Sequence, residues 1–329
     1  MDERTYTFRP FRDSDYEQIG RINSVILPEF PETGADVRRW TQIIEREPDR
    51  LARKLIVEEV ESGQVVAWGG LSHTLFNFHP DRYFLRVVVH PAHRGRGVGH
   101  EVYERLEREA RQRGVERLWS HAREDEPFSL RFLERHGFVP VRKTWDSRLT
   151  VADWDPLAVP DRTPALAKAG IRVTTFAAEG ADRPEVRRRV YELGRLSSKD
   201  TPRLGDYQMV SFEEFVEVNL EGPHILPDAI FLACKGEEYV GWSTLQTFES
   251  LPDTLDIGFT GTLPEYRGRG IASELKRRAI AYARDHGYSY VITGNDSLNP
   301  RIWAINEKLG FQRRTTIVHG EKKFPRPPS

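Results

Sequence analysis

The chain has 329 residues, of which 38% are hydrophobic, 11% aromatic and 30% charged. That is a globular mixture, long enough for two domains and too rich in order-promoting side chains for a disordered chain. With 49 Lys and Arg against 50 Asp and Glu the net charge is −1, which excludes a protein built for whole-surface nucleic-acid binding. The single cysteine, Cys234, excludes an internal disulfide and a cysteine-based zinc cluster. No run reaches the ~18 apolar residues of a membrane span, and the opening Met1-Asp2-Glu3-Arg4 is too charged for a signal peptide. A cytoplasmic protein with no membrane or nucleic-acid partner is expected.

In chain order, residues 6–9 read as a strand, Asp13-Ser14 as the cap of a helix running to about Leu27, and residues 36–45 as a second helix. Strands at 55–57 and 65–68 flank Ser62-Gly63, a hairpin signal. Residues 83–89 form a longer strand. A helix over 98–113 follows, with Val98, Val102, Leu106 and Ala110 along one stripe. Periodicity fades between Val151 and Gly170, where Pro156, Pro160 and Pro164 mark a linker. The scheme then starts again: a strand at 171–173, helices near 184–197 and 211–220, and strands at 230–233 and 239–242 across Gly236. Residues 321–329 read as a flexible tail.

The restart is a duplication. His90-Pro91-Ala92-His93-Arg94-Gly95-Arg96-Gly97-Val98-Gly99 aligns with Leu263-Pro264-Glu265-Tyr266-Arg267-Gly268-Arg269-Gly270-Ile271-Ala272 at an offset of 173 residues, Arg94 to Arg267. The same offset relates Gly114 to Gly287 and Gly137-Phe138 to Gly310-Phe311, while Trp68 and Trp242 differ by 174. The implied domains are 1–150 and 171–320, joined by 151–170. Each is a mixed α/β sheet with helices on both faces.

In each half the long strand runs into Arg-Gly-Arg-Gly at the start of a helix. Glycine permits positive φ and close backbone approach, and free N–H groups at a helix start favour an anion such as a pyrophosphate. The turn has neither the G-x-x-x-x-G-K-[ST] nor the G-x-G-x-x-G pattern. Its context is informative: strand, turn, four-turn helix, strand, and a Gly-Phe 43 residues after the first arginine, twice.

On these residues the chain resembles the GNAT superfamily, the Gcn5-related N-acetyltransferases, in tandem. Its layout is similar to that of bacterial two-domain members such as the mycothiol synthases. Arg94, Gly95, Arg96, Gly97, Val98 and Gly99, and likewise Arg267, Gly268, Arg269, Gly270, Ile271 and Ala272, match the family's R/Q-x-x-G-x-G/A signature for acetyl-CoA. The resemblance implies a splayed strand pair admitting the pantetheine arm, 83–89 with 116–121 and 255–262 with 288–293. Backbone amides of Val87, Val88 and Val89, or of Phe259, Thr260, Gly261 and Thr262, would face the thioester carbonyl and stabilise an oxyanion. It also implies a cofactor contact from Asn299, where the first half has Glu126, and a place beside the cofactor for Asn306, where many members carry an acidic tyrosine and the first half has Leu133.

An alkylammonium of pKa about 10 must lose a proton before attack, so a general base is expected. The resemblance implies Asp256, early on the strand before the second turn where the family's bases often stand, as the candidate, and residues 83–86 of the first half offer no carboxylate. A carboxylate at Glu126 would be unfavourable beside an anionic cofactor, so the second half is expected to be catalytic, transferring acetyl from acetyl-CoA to a primary amine of a small molecule or peptide. An acyl-CoA-binding sensor or scaffold is the alternative. The irregular segments 28–32 and 199–207 are expected to select the acceptor. His121, near Glu124, reads as a solvated histidine, Cys234 as a packed thiol, Tyr266 as a packing residue, and Trp68 and Trp242 as core. No metal ligand set is expected, and a homodimer is allowed.

Overall fold

The computed structural model describes residues 5–74, 78–157, 159–202 and 209–325. The elements are β1 (Tyr6–Pro10), α1 (Tyr16–Ile26), α2 (Gly34–Glu45), β2 (Ala52–Glu59), β3 (Val65–Ser72), β4 (Arg82–Val89), α3 (Val98–Gln112), β5 (Arg117–Arg123), α4 (Pro127–Arg135) and β6 (Val139–Thr150). There follow α5 (Thr163–Lys168), β7 (Ile171–Thr175), α6 (Phe176–Glu179), α7 (Pro184–Ser197), α8 (Phe212–Asn219), β8 (Ile225–Lys235), β9 (Glu238–Phe248) and β10 (Leu251–Thr262). The last are α9 (Ile271–Asp285), β11 (Tyr290–Asp296), α10 (Pro300–Lys308) and β12 (Gln312–Lys323). Asp13 and Ser14 do not cap α1; they lie in a short 3-10 turn ahead of it.

Two compact units result. Among the described residues one contains 5–141 and 318–325 and the other 142–202 and 209–317. The expected boundary at 150 is thus displaced. Residues 142–150 of β6 pair antiparallel with β11, from Tyr290↔Thr150 to Asp296↔Thr144, so they belong with the second unit. Residues 318–323 belong with the first. The segment expected to be a flexible tail is structured as far as Pro325 and helps complete that unit: Glu321 accepts from Arg117 and from the Trp119 indole, both at 3.1 Å, and the Phe324 amide donates to the Glu116 carbonyl at 2.9 Å. Residues 326–329 lie outside the described residues.

Nor is 151–170 an extended linker. Its helix α5 buries Leu166. It docks through Glu274, which is fully buried and accepts from the Arg162 amide at 3.2 Å and the Thr163 hydroxyl at 3.0 Å. A carboxylate can be buried there because Arg277 and Arg278 also reach it.

The first unit runs β1-β2-β3-β4-β5, then the end of β12; the second runs β6-β11-β10-β9-β8-β7. In the first, α3 lays Val98, Val102, Leu106 and Ala110 against Val57, Leu71 and Leu85 on one face, while α1 lays Ile19 and Ile22 against Ile56 and Val88 on the other. Full burial of each such side chain is worth about 2 kcal/mol. The duplication extends to side-chain bonds. Trp68 Nε1 donates to Asn23 Oδ1 at 3.0 Å, and Trp242 Nε1 donates to Ser197 Oγ at 3.1 Å. Both indoles are core, as expected.

Candidate active site

Parallel pairing of β10 with β11 begins at Thr254↔Tyr290 and ends at Ile257↔Thr293, although β10 continues to Thr262 and β11 to Asp296. In the first unit β4 and β5 pair only from Arg82↔Arg117 to Phe84↔Trp119. Each unit thus contains the splayed strand pair that the resemblance implies.

Backbone alternation decides which amides face the splay. The Leu263 amide donates to the Val240 carbonyl at 3.0 Å and the Phe259 amide to Thr244 Oγ1 at 3.1 Å, so odd-numbered positions of this stretch face β9. The Thr260 and Thr262 amides then face the open edge, and the Thr262 carbonyl accepts from Arg267 Nε at 3.2 Å. Phe259 and Gly261 do not present their amides there, contrary to expectation. In the first unit His90 donates to the Val66 carbonyl, which turns Val88 away and leaves Val87 and Val89 facing the splay. Gly261 has another role: a Cβ there would lie 2.5 Å from the Phe259 ring and 2.8 Å from Ser197 Oγ.

Beyond β10, Gly268 and Gly270 take φ of 76° and 84°, and Gly95 and Gly97 take 77° and 82°, a region costly for residues with a Cβ. The space before Gly268 is open. Helix α9 starts at Ile271 after Gly270 with no side-chain cap, so the amides of Ile271, Ala272 and Ser273 have no intrahelical acceptor. Arg267 and Arg269 stand beside them. This donor set and its open cradle fit a pyrophosphate. Arg267 also meets Asp200 at 2.8 Å, an exposed pair of modest strength. In the first unit the same helix start exists at Val98 and Gly99 beside Arg96, but Arg94 is held by Glu126 at 2.9 Å.

Asp256 sits one residue before the β10–β11 pairing stops, half-buried, with Gln246 Nε2 donating to Oδ2 at 2.8 Å. Burial pushes its pKa up to about 6, opposed by the Gln246 bond and the Lys276 charge. Lys276 is 1% exposed on α9, its Nζ 3.4 Å from Thr293 Oγ1 and 5.8 Å from the Phe311 ring centroid. Burial pushes its pKa down to about 7, resisted by Asp256. Sequence reasoning missed Lys276 and Gln246. The available signal was a lysine among the apolar positions Ile271, Leu275, Ala279 and Ile280 of one helix.

Asn306 is placed otherwise than expected. Asn306 is fully buried and donates to Asn295 Oδ1 at 2.7 Å, leaving it no surface for a cofactor. Asn299 caps α10, its Oδ1 accepting from Ile302. His121 is half-buried rather than freely solvated: it packs on Phe84 and His319, and burial with the nearby Arg86 charge pushes its pKa down to about 3. Cys234 is buried, its thiol pushed up to about 11 chiefly by desolvation, and so is an unreactive packed thiol. Tyr266 donates to Glu238 at 2.8 Å. In the segments expected to select the acceptor, Glu29 pairs with Arg123 and Glu32 accepts from Asn23; residues 203–207 lie outside the described residues.

Residues 18–138 and 193–311 both match the acetyltransferase (GNAT) family. The chain belongs to this family. It is a tandem GNAT protein, and its class is that of the acyltransferases. Mycothiol acetyltransferase of Thermobispora bispora is 28% identical over 236 residues, covering 70% of this chain and 73% of the relative. That of Catenulispora acidiphila is 27% identical, covering 70% of each. The solved GCN5-related N-acetyltransferase from Sphaerobacter thermophilus superposes with a TM-score of 0.74 at 20% identity, covering 99% of this chain and 98% of that one. A tandem GNAT protein from the clavulanic acid biosynthesis pathway gives 0.70 at 19%, covering 98% and 99%. These two likenesses concern the fold. Among the described residues no helix of the tandem GNAT chain is long and apolar enough to cross a membrane.

Proposed function

We propose that this GNAT protein transfers the acetyl group of acetyl-CoA to a primary amine of a small molecule or peptide by direct attack, and that the C-terminal unit does the chemistry. The observation that carries the reading is Asp256, a half-buried carboxylate at the edge of the splay whose pKa of about 6 lets it be ionised at neutral pH and still accept a proton. Gln246 fixes Oδ2 and leaves Oδ1 to take the ammonium proton, directly or through a water. Acetyl-CoA would supply an activated thioester. Arg267, Gly268, Arg269, Gly270 and the first amides of α9 would hold its pyrophosphate, and the Thr260 and Thr262 amides would donate to the thioester oxygen. Asn306 cannot act as an acid, so the thiolate would take its proton from solvent.

In the N-terminal unit no carboxylate matches Asp256; the position holds Tyr83, which is buried, and Arg94 is neutralised by Glu126. These features support binding there that is weaker and without turnover. The relatives named mycothiol acetyltransferase make the corresponding amine the first acceptor to test. The test is calorimetric titration with acetyl-CoA of the wild type, Arg267→Ala and Arg94→Ala, paired with CoA release over a panel of amines. Arg267→Ala is expected to weaken the tight site at least tenfold and to abolish turnover, while Arg94→Ala retains it. Unchanged affinity in Arg267→Ala would remove the pyrophosphate placement. Binding without release of CoA in the presence of any amine would favour the sensor reading.

A further inference from the structure

We propose that the N-terminal unit carries a site for a divalent transition-metal cation of the zinc class, built from His100, Glu104 and His136. His100 and Glu104 are one turn apart on α3 and so project from one face; His136 follows the last residue of α4. One ligand atom from each lies within 4.8 Å of the other two. The sequence brings two of these donors together by helical spacing. The third arrives only through the packing of α4 against α3.

The nitrogens are aimed at one another. His136 Nδ1 stands 2.8 Å from the Phe132 carbonyl, an acceptor only, so Nδ1 carries the proton and Nε2 carries the lone pair. That lone pair faces His100 Nδ1 at 3.1 Å. Two imidazole nitrogens on one tetrahedral zinc stand about 3.3 Å apart, given Zn–N bonds of about 2.05 Å. A carbonyl behind a ligating imidazole is also the usual outer support of such sites, fixing tautomer and orientation. The His136 ring packs against Tyr103 at 3.9 Å and Phe132 at 4.2 Å between centroids, which limits its rotation. Glu104 supplies the negative charge that two neutral imidazoles lack. His100 and Glu104 are exposed, so the fourth position opens to water. His100 directly follows the Arg94–Gly99 turn, and a bound ion would tie the first turn of α3 to the end of α4.

The rival arrangement is a plain imidazole N–H···N hydrogen bond with no ion. Titration of chelator-treated full-length protein with zinc chloride, followed by calorimetry, separates the two, and the visible absorption of a cobalt-loaded sample reports coordination number. His100→Ala and Glu104→Gln change exposed side chains, and circular dichroism checks that both variants fold. The expected result is one saturable zinc site, at least tenfold weaker in each variant, with four-coordinate cobalt absorption lost in both. No saturable site in the wild type, or unchanged affinity in either variant, overturns the proposal.

Discussion

At the scale of single residues the proposed chemistry rests on a carboxylate beside an amine in a partly dry environment. Desolvation raises the Asp256 proton affinity and lowers that of Lys276, while each charge favours the other. If Asp256 is the base, kcat/KM falls as pH drops through about 6, because protonation removes the acceptor. Asp256→Asn is expected to abolish that inflection and to lower kcat/KM by roughly 100-fold or more. Lys276→Met keeps the side-chain volume but deletes a charge that lowers the Asp256 pKa, so its inflection should move to higher pH. A pH–rate profile of the three proteins decides it: an inflection that stays in place in Asp256→Asn assigns the base elsewhere. Asp256 was legible in the sequence as an acidic residue on the strand before the turn. Lys276 was not, because a lysine in an amphipathic helix is ordinarily assigned to the solvated face.

At the scale of elements the decisive unit is strand, turn and helix. Positive φ at alternate glycines and an uncapped helix start are local properties, so the sequence reveals them in both halves. What differs between the halves lies across the splay. At the start of α4 the first unit has Glu126, whose carboxylate holds Arg94 at 2.9 Å; at the start of α10 the second has Asn299, which caps its own helix. The sequence warned of a carboxylate near an anionic ligand. Its consequence, neutralisation of the turn's first arginine, needed the fold. Glu126→Gln should release Arg94 and tighten acetyl-CoA binding by the first turn about tenfold, the worth of one charge-assisted hydrogen bond. Calorimetry on a chain whose second turn carries Arg267→Ala isolates this effect, and unchanged affinity would mean that Arg94 contributes nothing there.

At the scale of the whole molecule, the chain's last described strand completes its first unit. Lys322 Nζ donates to Glu107 Oε2 at 2.7 Å and to Tyr103 Oη at 2.9 Å. Burial alone would raise the Glu107 pKa, but hydrogen bonds from Lys322, Tyr103 and Arg111 outweigh it and hold the pKa below the ordinary value of 4.5. A depressed folded-state pKa contributes stability that is present above 4.5 and lost as pH falls through the folded value. Lys322→Met should therefore destabilise the protein by about 1–3 kcal/mol at pH 7, with the difference closing in acid as Glu107 protonates. Urea unfolding at pH 7 and below pH 4 measures both; a difference independent of pH would assign the effect to packing rather than to the ion pair.

The sequence by itself determined the duplication, the two glycine turns, the helices behind them and the family, because each is written in spacing within about 45 residues or in backbone conformations that only glycine adopts readily. Tertiary structure decided which backbone amides face the splay, that residues 142–150 and 318–323 belong with the opposite units from those their order implies, that Asn306 is sealed inside, and that Lys276 and His136 stand near Asp256 and His100. These are contacts between residues far apart in the chain, set by strand register and helix packing. Neither is encoded in any single segment.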